Sequence, residues 1–323
     1  MHGRCGVNTR TFRKGADPMP ASLTLMLRAG AVLLLLLITL TGCGKEATLP
    51  PTATPSPAVA VLAVSELTPG LNRIALGVLR SGTPLNDPKL KLGLRFFYLD
   101  GTTPTKPQSE IQAVYRGEGL PFGLYVGYVT LSDPGGWEIE ITVPQANGQS
   151  AVSRTRLEVL AKPQVPAAGM LAIPSHNLTV RDEADLSKIT SDANPDPDFY
   201  QLTIAEAIAA HKPFVVAFAT PGYCQTATCG PNMLVLRKLK DQYKAQVNFI
   251  HVEVYPYPFG PSFKAMRRVP PMDEWNLHTE PWTFLVDAAG RIQARYEGGI
   301  TFTELEPALV QLGAGQPITP PAP

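Results

Sequence analysis

The sequence predicts two folded parts in series, an all-β sandwich followed by an α/β domain. Three observations point there. From about Val61 to Leu160, apolar and polar residues alternate in short runs broken by turn residues, the pattern of half-buried strands. Beyond about Ser175 the pattern changes to continuous apolar runs between helical periods. Two proline-rich stretches, 43–60 and 161–175, mark the boundaries. The length of 323 residues leaves room for about two domains. Charged residues make up 17% of the chain, with a formal net charge of +1, against about 25% in an average soluble domain. No basic patch of the kind a nucleic-acid binder needs is visible. Proline is abundant, 33 residues, yet a mean hydropathy of +0.01 is too apolar for a wholly disordered chain.

The first segment reads as a targeting signal. Arg10, Arg13, Lys14 and Arg28 precede the apolar run Ala29–Leu40, which is shorter than the roughly 20 residues a membrane span requires and suits the core of a secretory signal. Met19 and Met26 are alternative starts that give a more usual signal length. The run ends in Leu40-Thr41-Gly42-Cys43, which resembles the lipobox of bacterial lipoproteins. That resemblance implies cleavage before Cys43, lipid on its sulfur, and a protein held at the outer face of the cell membrane. Loss of residues 1–42 removes Arg4, Arg10, Arg13, Lys14, Arg28 and Asp17, so the net charge turns from +1 to −3. Cys5 leaves with the signal, and Cys224 and Cys229 become an isolated thiol pair in a disulfide-permissive compartment. The Pro/Thr-rich stretch that follows favours extended polyproline conformation and reads as a tether.

Within 61–160 the expected strands are Arg73–Leu79, Lys91–Tyr98, Ile111–Tyr115, Leu124–Leu131, Trp137–Val143 and Thr155–Leu160. Breaks fall at Ser81-Gly82-Thr83-Pro84, Asp100-Gly101, Pro134-Gly135-Gly136 and Asn147-Gly148. So many strands in so short a stretch, with no helical period, suggest an immunoglobulin-like sandwich with Trp137 as its core plug. The stretch holds neither Cys nor His, which fits a spacer or partner-binding module better than a catalytic one.

In 176–313 the expected order is helix Ile204–Ala210, strand Pro213–Ala219, a loop bearing both cysteines, helix Pro231–Tyr243, strand Val247–Val254, a long insertion, a hairpin of Trp282–Val286 with Ile292–Tyr296, and helix Phe302–Leu312. Pro231 suits the opening of its helix, where no donor is lost. Residues 314–323 read as a disordered tail. A pair at i and i+5 points apart on a regular helix, so Cys224 and Cys229 can be bridged only if Cys224 lies outside it.

This order is similar to the thioredoxin fold, and particular residues carry the resemblance. Lys212-Pro-Phe-Val-Val-Ala-Phe-Ala219 resembles the central strand, Tyr223-Cys224 the aromatic residue before the nucleophilic cysteine, and Thr279-Glu280-Pro281-Trp282 the cis-proline loop. Gly298-Gly299 resembles the last strand-to-helix turn. The resemblance implies thiol–disulfide exchange with protein thiols or disulfides, with Cys224 attacking, Cys229 resolving and Pro281 shaping the site. Three departures stand out. The spacing is C-x4-C, not C-x2-C; the family's buried acid is replaced by Ala217; and Glu280, a carboxylate beside a thiol, would raise that thiol's pKa.

Two other chemistries share such a scaffold. The run Phe218-Ala-Thr220, Cys224 and Cys229-Gly-Pro231 resembles Sco-type copper chaperones, which implies a copper site of Cys224, Cys229 and a histidine. Two thiolates and an imidazole suit that metal. His278, three residues before Pro281, is the candidate ligand; His251 on a strand reads as packing, and His176 and His211 as incidental. Peroxiredoxins resemble only Thr226-x-x-Cys229. A non-catalytic interaction module with a structural disulfide is the third reading, although so short a ring constrains little chain. Tyr255, Tyr257, Phe259 and Phe263, with Arg267 and Arg268, make the insertion a candidate lid or docking surface. Trp275 and Trp282 are candidates for an apolar rim or for core packing.

Overall fold

The structure, a computed structural model, describes residues 56–224, 226–260 and 267–321. Cys43 and the leader expected before it lie outside these residues, as does Phe263. The N-terminal domain is formed by β1 (Ala58–Leu62), β2 (Gly70–Arg80), β3 (Thr83–Pro84), β4 (Lys91–Tyr98), β5 (Ser109–Tyr115), β6 (Leu124–Leu131), β7 (Gly135–Pro144) and β8 (Ser150–Val159). They make one sheet in the order β1-β2-β6-β5-β4-β7-β8, with β3 on β2, and all these pairings are antiparallel. The two ends of the sheet approach each other. The Gln145 amide exchanges hydrogen bonds of 2.9 and 3.2 Å with the backbone of Ala58, and Leu67 bridges Val159. The result is a nearly closed β domain, of sandwich or barrel kind.

Alternation explains its core. Leu92, Leu94 and Phe96 on β4 point inward with Ile139, Ile141 and Val143 on β7, while Arg95, Glu140 and Arg154 pair on the outer face. Trp137 is buried in this core, and its Nε1–H donates to Asp133 O at 2.9 Å. Every strand expected from the pattern is present. Two strands are unexpected: the short β3, inside the expected break at 81–84, and β1, which begins at Ala58 inside the expected tether because it finds a ladder on β2, a long-range partner that composition cannot show.

The C-terminal domain contains α1 (Leu186–Ile189), a 3-10 turn (Pro197–Tyr200), α2 (Ile204–Ala209), β9 (Phe214–Ala219), α3 (Cys229–Tyr243), β10 (Asn248–Glu253), α4 (Pro270–Glu274), β11 (Trp282–Val286), β12 (Ile292–Glu297) and α5 (Phe302–Gly313). Its sheet runs β10-β9-β11-β12. β10 is parallel to β9, and β11 is antiparallel to both β9 and β12. Every residue of β9 is buried, because the sheet is covered on both faces. Met233, Leu236, Leu305 and Leu309 of α3 and α5 pack on one face. Ile204 and Ala207 of α2, Met272 of α4 and Trp275 pack on the other.

Three details differ from expectation. The 161–175 segment is not a free linker, since Gly169 N, Ala172 N and Ile292 N form hydrogen bonds that lay it along the β12 hairpin. The insertion carries its own helix, α4. Trp275 and Trp282 are both buried, so of the two placements considered for them it is core packing that the structure shows. The tail folds back: Gln311 Nε2 donates to Thr319 Oγ1 and Thr319 N donates to Gln311 Oε1, both at 2.8 Å, while Ile318 packs against the core.

The two domains are pinned by a buried ion pair. Arg73 on β2 and Glu304 on α5 have side chains 7% and 0% exposed, with contacts of 2.6 and 2.9 Å. Burial works against the Arg73 charge, and the Glu304 carboxylate outweighs it, so the guanidinium pKa is raised. Tyr128 OH also donates to Glu304, at 2.6 Å. Arg73→Met leaves a carboxylate buried without its cation and should cost about 3–5 kcal/mol in denaturant unfolding. The double variant Arg73→Met/Glu304→Leu should recover a large part of that loss, and equal losses in the two variants would contradict the account.

Candidate functional site

β9 ends at Ala219, and the loop that follows carries Thr220, Tyr223 and Cys224 to the start of α3. Cys224 and Cys229 form a disulfide with Cα atoms 5.8 Å apart. α3 opens at Cys229 rather than at Pro231. Proline is still tolerated there, since the first-turn N–H groups have no partner within the helix. Cys224 therefore lies outside the helix, as bridging requires. The loop between the cysteines turns through Ala227 at φ +56°, a left-handed conformation that costs a non-glycine residue about 1–2 kcal/mol.

The two sulfurs have different surroundings. Cys224 is partly exposed, and its Sγ lies 3.3 Å from Cys229 N and 3.2 Å from Thr226 Oγ1. Both groups can donate to it, at the positive end of a 15-residue helix. Cys229 is 0% exposed, and Glu280 Oε2 is 3.8 Å from its Sγ. Glu280 precedes Pro281, and the peptide bond between them is cis. Burial raises the Glu280 pKa, against the opposing pull of Thr220.

A second carboxylate lies behind the first. Glu253, the last residue of β10, sits in register with Ala219 and is buried. Its Oε2 accepts from Ser191 N at 2.7 Å, Ser191 Oγ at 2.9 Å and Thr190 Oγ1 at 3.2 Å. Burial pushes its pKa up to about 7 in spite of these donors. Thr220 lies between the two acids and favours the charged form of each, although its Oγ1 closes no full hydrogen bond to either. Ser191 Oγ also accepts from Gly222 N at 3.0 Å, so the network around Glu253 reaches the Cys224 loop.

His251 is in register with Ala217, the position where the resemblance expected an acid. Tyr200 OH meets its Nδ1 at 2.8 Å and Ala219 O meets its Nε2 at 3.0 Å. A carbonyl can only accept, so the ring proton is on Nε2 and Nδ1 accepts from the tyrosine. Burial pushes the imidazole down to about 4. Both ring nitrogens are thus committed to packing, as expected. His278 is exposed, with Nδ1 3.4 Å from Arg268 Nη2. Among the described residues no three His, Cys, Asp or Glu side chains cluster as a metal site. His176 and His211 are exposed.

Sequence reasoning placed Cys224, Cys229, Glu280 and Pro281 together, and it missed Glu253. The available signal was a carboxylate ending the run Asn248–Glu253, whose other residues read as a buried strand.

A family model described as a thioredoxin-like domain matches residues 200–313. Residues 200–313 form a thioredoxin-like domain. No curated protein matches the chain in sequence. Solved structures match it in part. A family 76 glycoside hydrolase from a bovine Bacteroides thetaiotaomicron strain does so at 13% identity and TM-score 0.24, over 32% of this chain and 20% of its own. The fibronectin type-III domain of human fibronectin type III domain containing protein 3 matches at 13% identity and TM-score 0.22, over 35% of this chain and 93% of its own. CopC from Methylosinus trichosporium OB3b matches at 14% identity and TM-score 0.20, over 33% of this chain and 99% of its own. The chain thus spans a fifth of the hydrolase's length, and these likenesses have no bearing on activity. Among the described residues, no helix is long and apolar enough to cross a membrane.

The buried pair has opposite pH signatures in the thioredoxin-like domain. The folded pKa of Glu253 is raised from 4.5 to about 7, so stability is lost as pH rises through that window. The folded pKa of His251 is lowered from 6.5 to about 4, so stability is lost as pH falls through that one. The two oppose each other where the windows overlap. Glu253→Gln removes the first, and the variant should lose about 3 kcal/mol more than the parent on acidification from pH 8 to pH 4 in urea unfolding. Parallel pH profiles would contradict this.

Proposed function

We propose that the protein is an extracytoplasmic thiol–disulfide exchange protein, lipid-anchored through Cys43 and acting on protein partners through Cys224 and Cys229. The observation that carries this reading is the asymmetry of the pair. Helix N–H and hydroxyl donors face the accessible sulfur of Cys224, which favours its thiolate and suits it to attack. The half-buried carboxylate at Glu280 faces Cys229, which keeps that residue a thiol until its proton is taken. The N-terminal domain we read as immunoglobulin-like.

In the reduced state the Cys224 thiolate attacks one sulfur of a partner's disulfide. That bond breaks, and the departing partner sulfur takes the electron pair and a proton from water. Cys229 then gives its proton to Glu280 and attacks Cys224 Sγ, and the second partner sulfur leaves with the electron pair and takes up a proton. Two electrons pass from the Cys224–Cys229 dithiol to the partner, and the reverse sequence oxidises a partner dithiol. Pro281, beside the pair, supplies backbone against which a partner segment can lie. Which direction runs depends on the potential of the couple relative to its partner.

Cys229→Ser should accumulate a stable mixed disulfide between Cys224 and a disulfide-bonded probe peptide, detected by mass spectrometry. Cys224→Ser should form none. Glu280→Gln should slow the resolving step at least tenfold near neutral pH without blocking the first attack. Equal trapping through either cysteine, or no exchange in the parent, would overturn the reading.

A further inference from the structure

The segment Glu297–Ile300, running from the last residue of β12 toward α5, is bonded on one side to the N-terminal domain and on the other to the disulfide site. From the N-terminal domain, Arg73 Nη1 donates to Glu297 O and Arg73 Nη2 to Gly299 O, both at 2.9 Å. Ser65 N donates to Glu297 Oε2 at 2.8 Å. Gly299 lies so close to the same domain that a Cβ there would stand 2.8 Å from Leu120 Cδ1 and 3.0 Å from Leu124 Cδ1. Toward the disulfide site, Thr279 Oγ1 donates to Glu297 Oε1 at 2.9 Å, and the same hydroxyl accepts from Trp282 Nε1 at 2.9 Å. Gly298 N donates to Pro281 O at 2.9 Å. Asn232 on α3, three residues after Cys229, donates to Gly298 O at 2.9 Å and accepts from Ile300 N at 3.0 Å.

Each oxygen of the Glu297 carboxylate thus serves a different domain. One accepts from the β domain and the other from the Thr279-Glu280-Pro281 loop. Asn232 is buried and ties the first turn of α3 to the same four residues. A spacer would need none of these bonds, and a docking surface would not require them to converge on the loop next to Pro281.

We propose that the β domain is a working part of the disulfide site: through Glu297 and Arg73 it holds the Thr279–Pro281 loop and the start of α3 in the geometry that presents Cys224 and Cys229. Glu297 is a positioning residue, since it touches neither sulfur. The inference rests on the exchange reading for its consequence, though not for its geometry. A partner that pulled Ser65 or Arg73 away from this loop would loosen Pro281 and change how readily the disulfide opens.

The test compares Glu297→Ala, Glu297→Gln and Glu66→Gln in the full chain. Glu66 pairs across the same domain boundary with Arg295 at 2.8 Å but makes no bond to the loop, so it controls for weakened docking. Hydrogen exchange at the amides of Glu280, Trp282 and Gly298 should quicken at least tenfold in Glu297→Ala. Glu297→Gln, which retains one acceptor, should fall between that variant and the parent. Glu66→Gln should leave these amides at parent rates. The glutathione ratio at which Cys224–Cys229 is half oxidised should move severalfold in Glu297→Ala alone. Loop exchange in Glu297→Ala no faster than in Glu66→Gln would overturn the inference, as would an unmoved ratio in Glu297→Ala when the parent couple is reversible. A parent with no reversible couple would defeat the exchange reading, and hydrogen exchange alone would then decide the positioning role.

Discussion

The ion pair of Arg73 and Glu304 is the contact on which the arrangement depends. Two charges are removed from water, and each is tolerated because the other is within hydrogen-bond distance. Such a pair admits little play, since a small separation would leave both charges exposed to a low-dielectric interior. Arg73 spends its remaining donors on the carbonyls of Glu297 and Gly299. The same side chain that joins the domains therefore fixes the backbone beside Pro281. Domain docking and site geometry are one problem in this molecule.

Around the disulfide, carboxylates replace the single buried acid that the thioredoxin resemblance led one to expect at position 217. On the adjacent strand, His251 in register with Ala217 and Glu253 in register with Ala219 are the buried polar groups. Glu280 comes from a different element and is the acid within reach of Cys229. Its separation from Glu253 by Thr220 keeps two raised-pKa groups in one region. A site of this kind can hold a proton near neutral pH, which a lone exposed carboxylate cannot.

Much of this was legible in the sequence where the pattern is local. Alternation from Arg73 to Val143 located the strands, and the change of period near Ser175 located the second domain. The motifs at Cys224, Pro281 and Gly298-Gly299 located the site because each is tied to a short turn. Long-range pairing was not legible: β1 at Ala58 and the strap at 169–172 exist through partners far away in sequence. The start of α3 at Cys229 was missed because Pro231 is an equally good residue in the third helical position. Glu253 and Glu297 were missed because a carboxylate's role depends on what the fold brings to it, and neither has a motif of its own.

The most direct test of the central claim is a redox titration of the full chain, with the thiol state of Cys224 and Cys229 read by mass spectrometry across a graded glutathione series. The account predicts one reversible two-electron transition, with both thiols appearing together. A disulfide that stays closed across the whole series, or opens only on unfolding, would contradict it and make the bond a structural one.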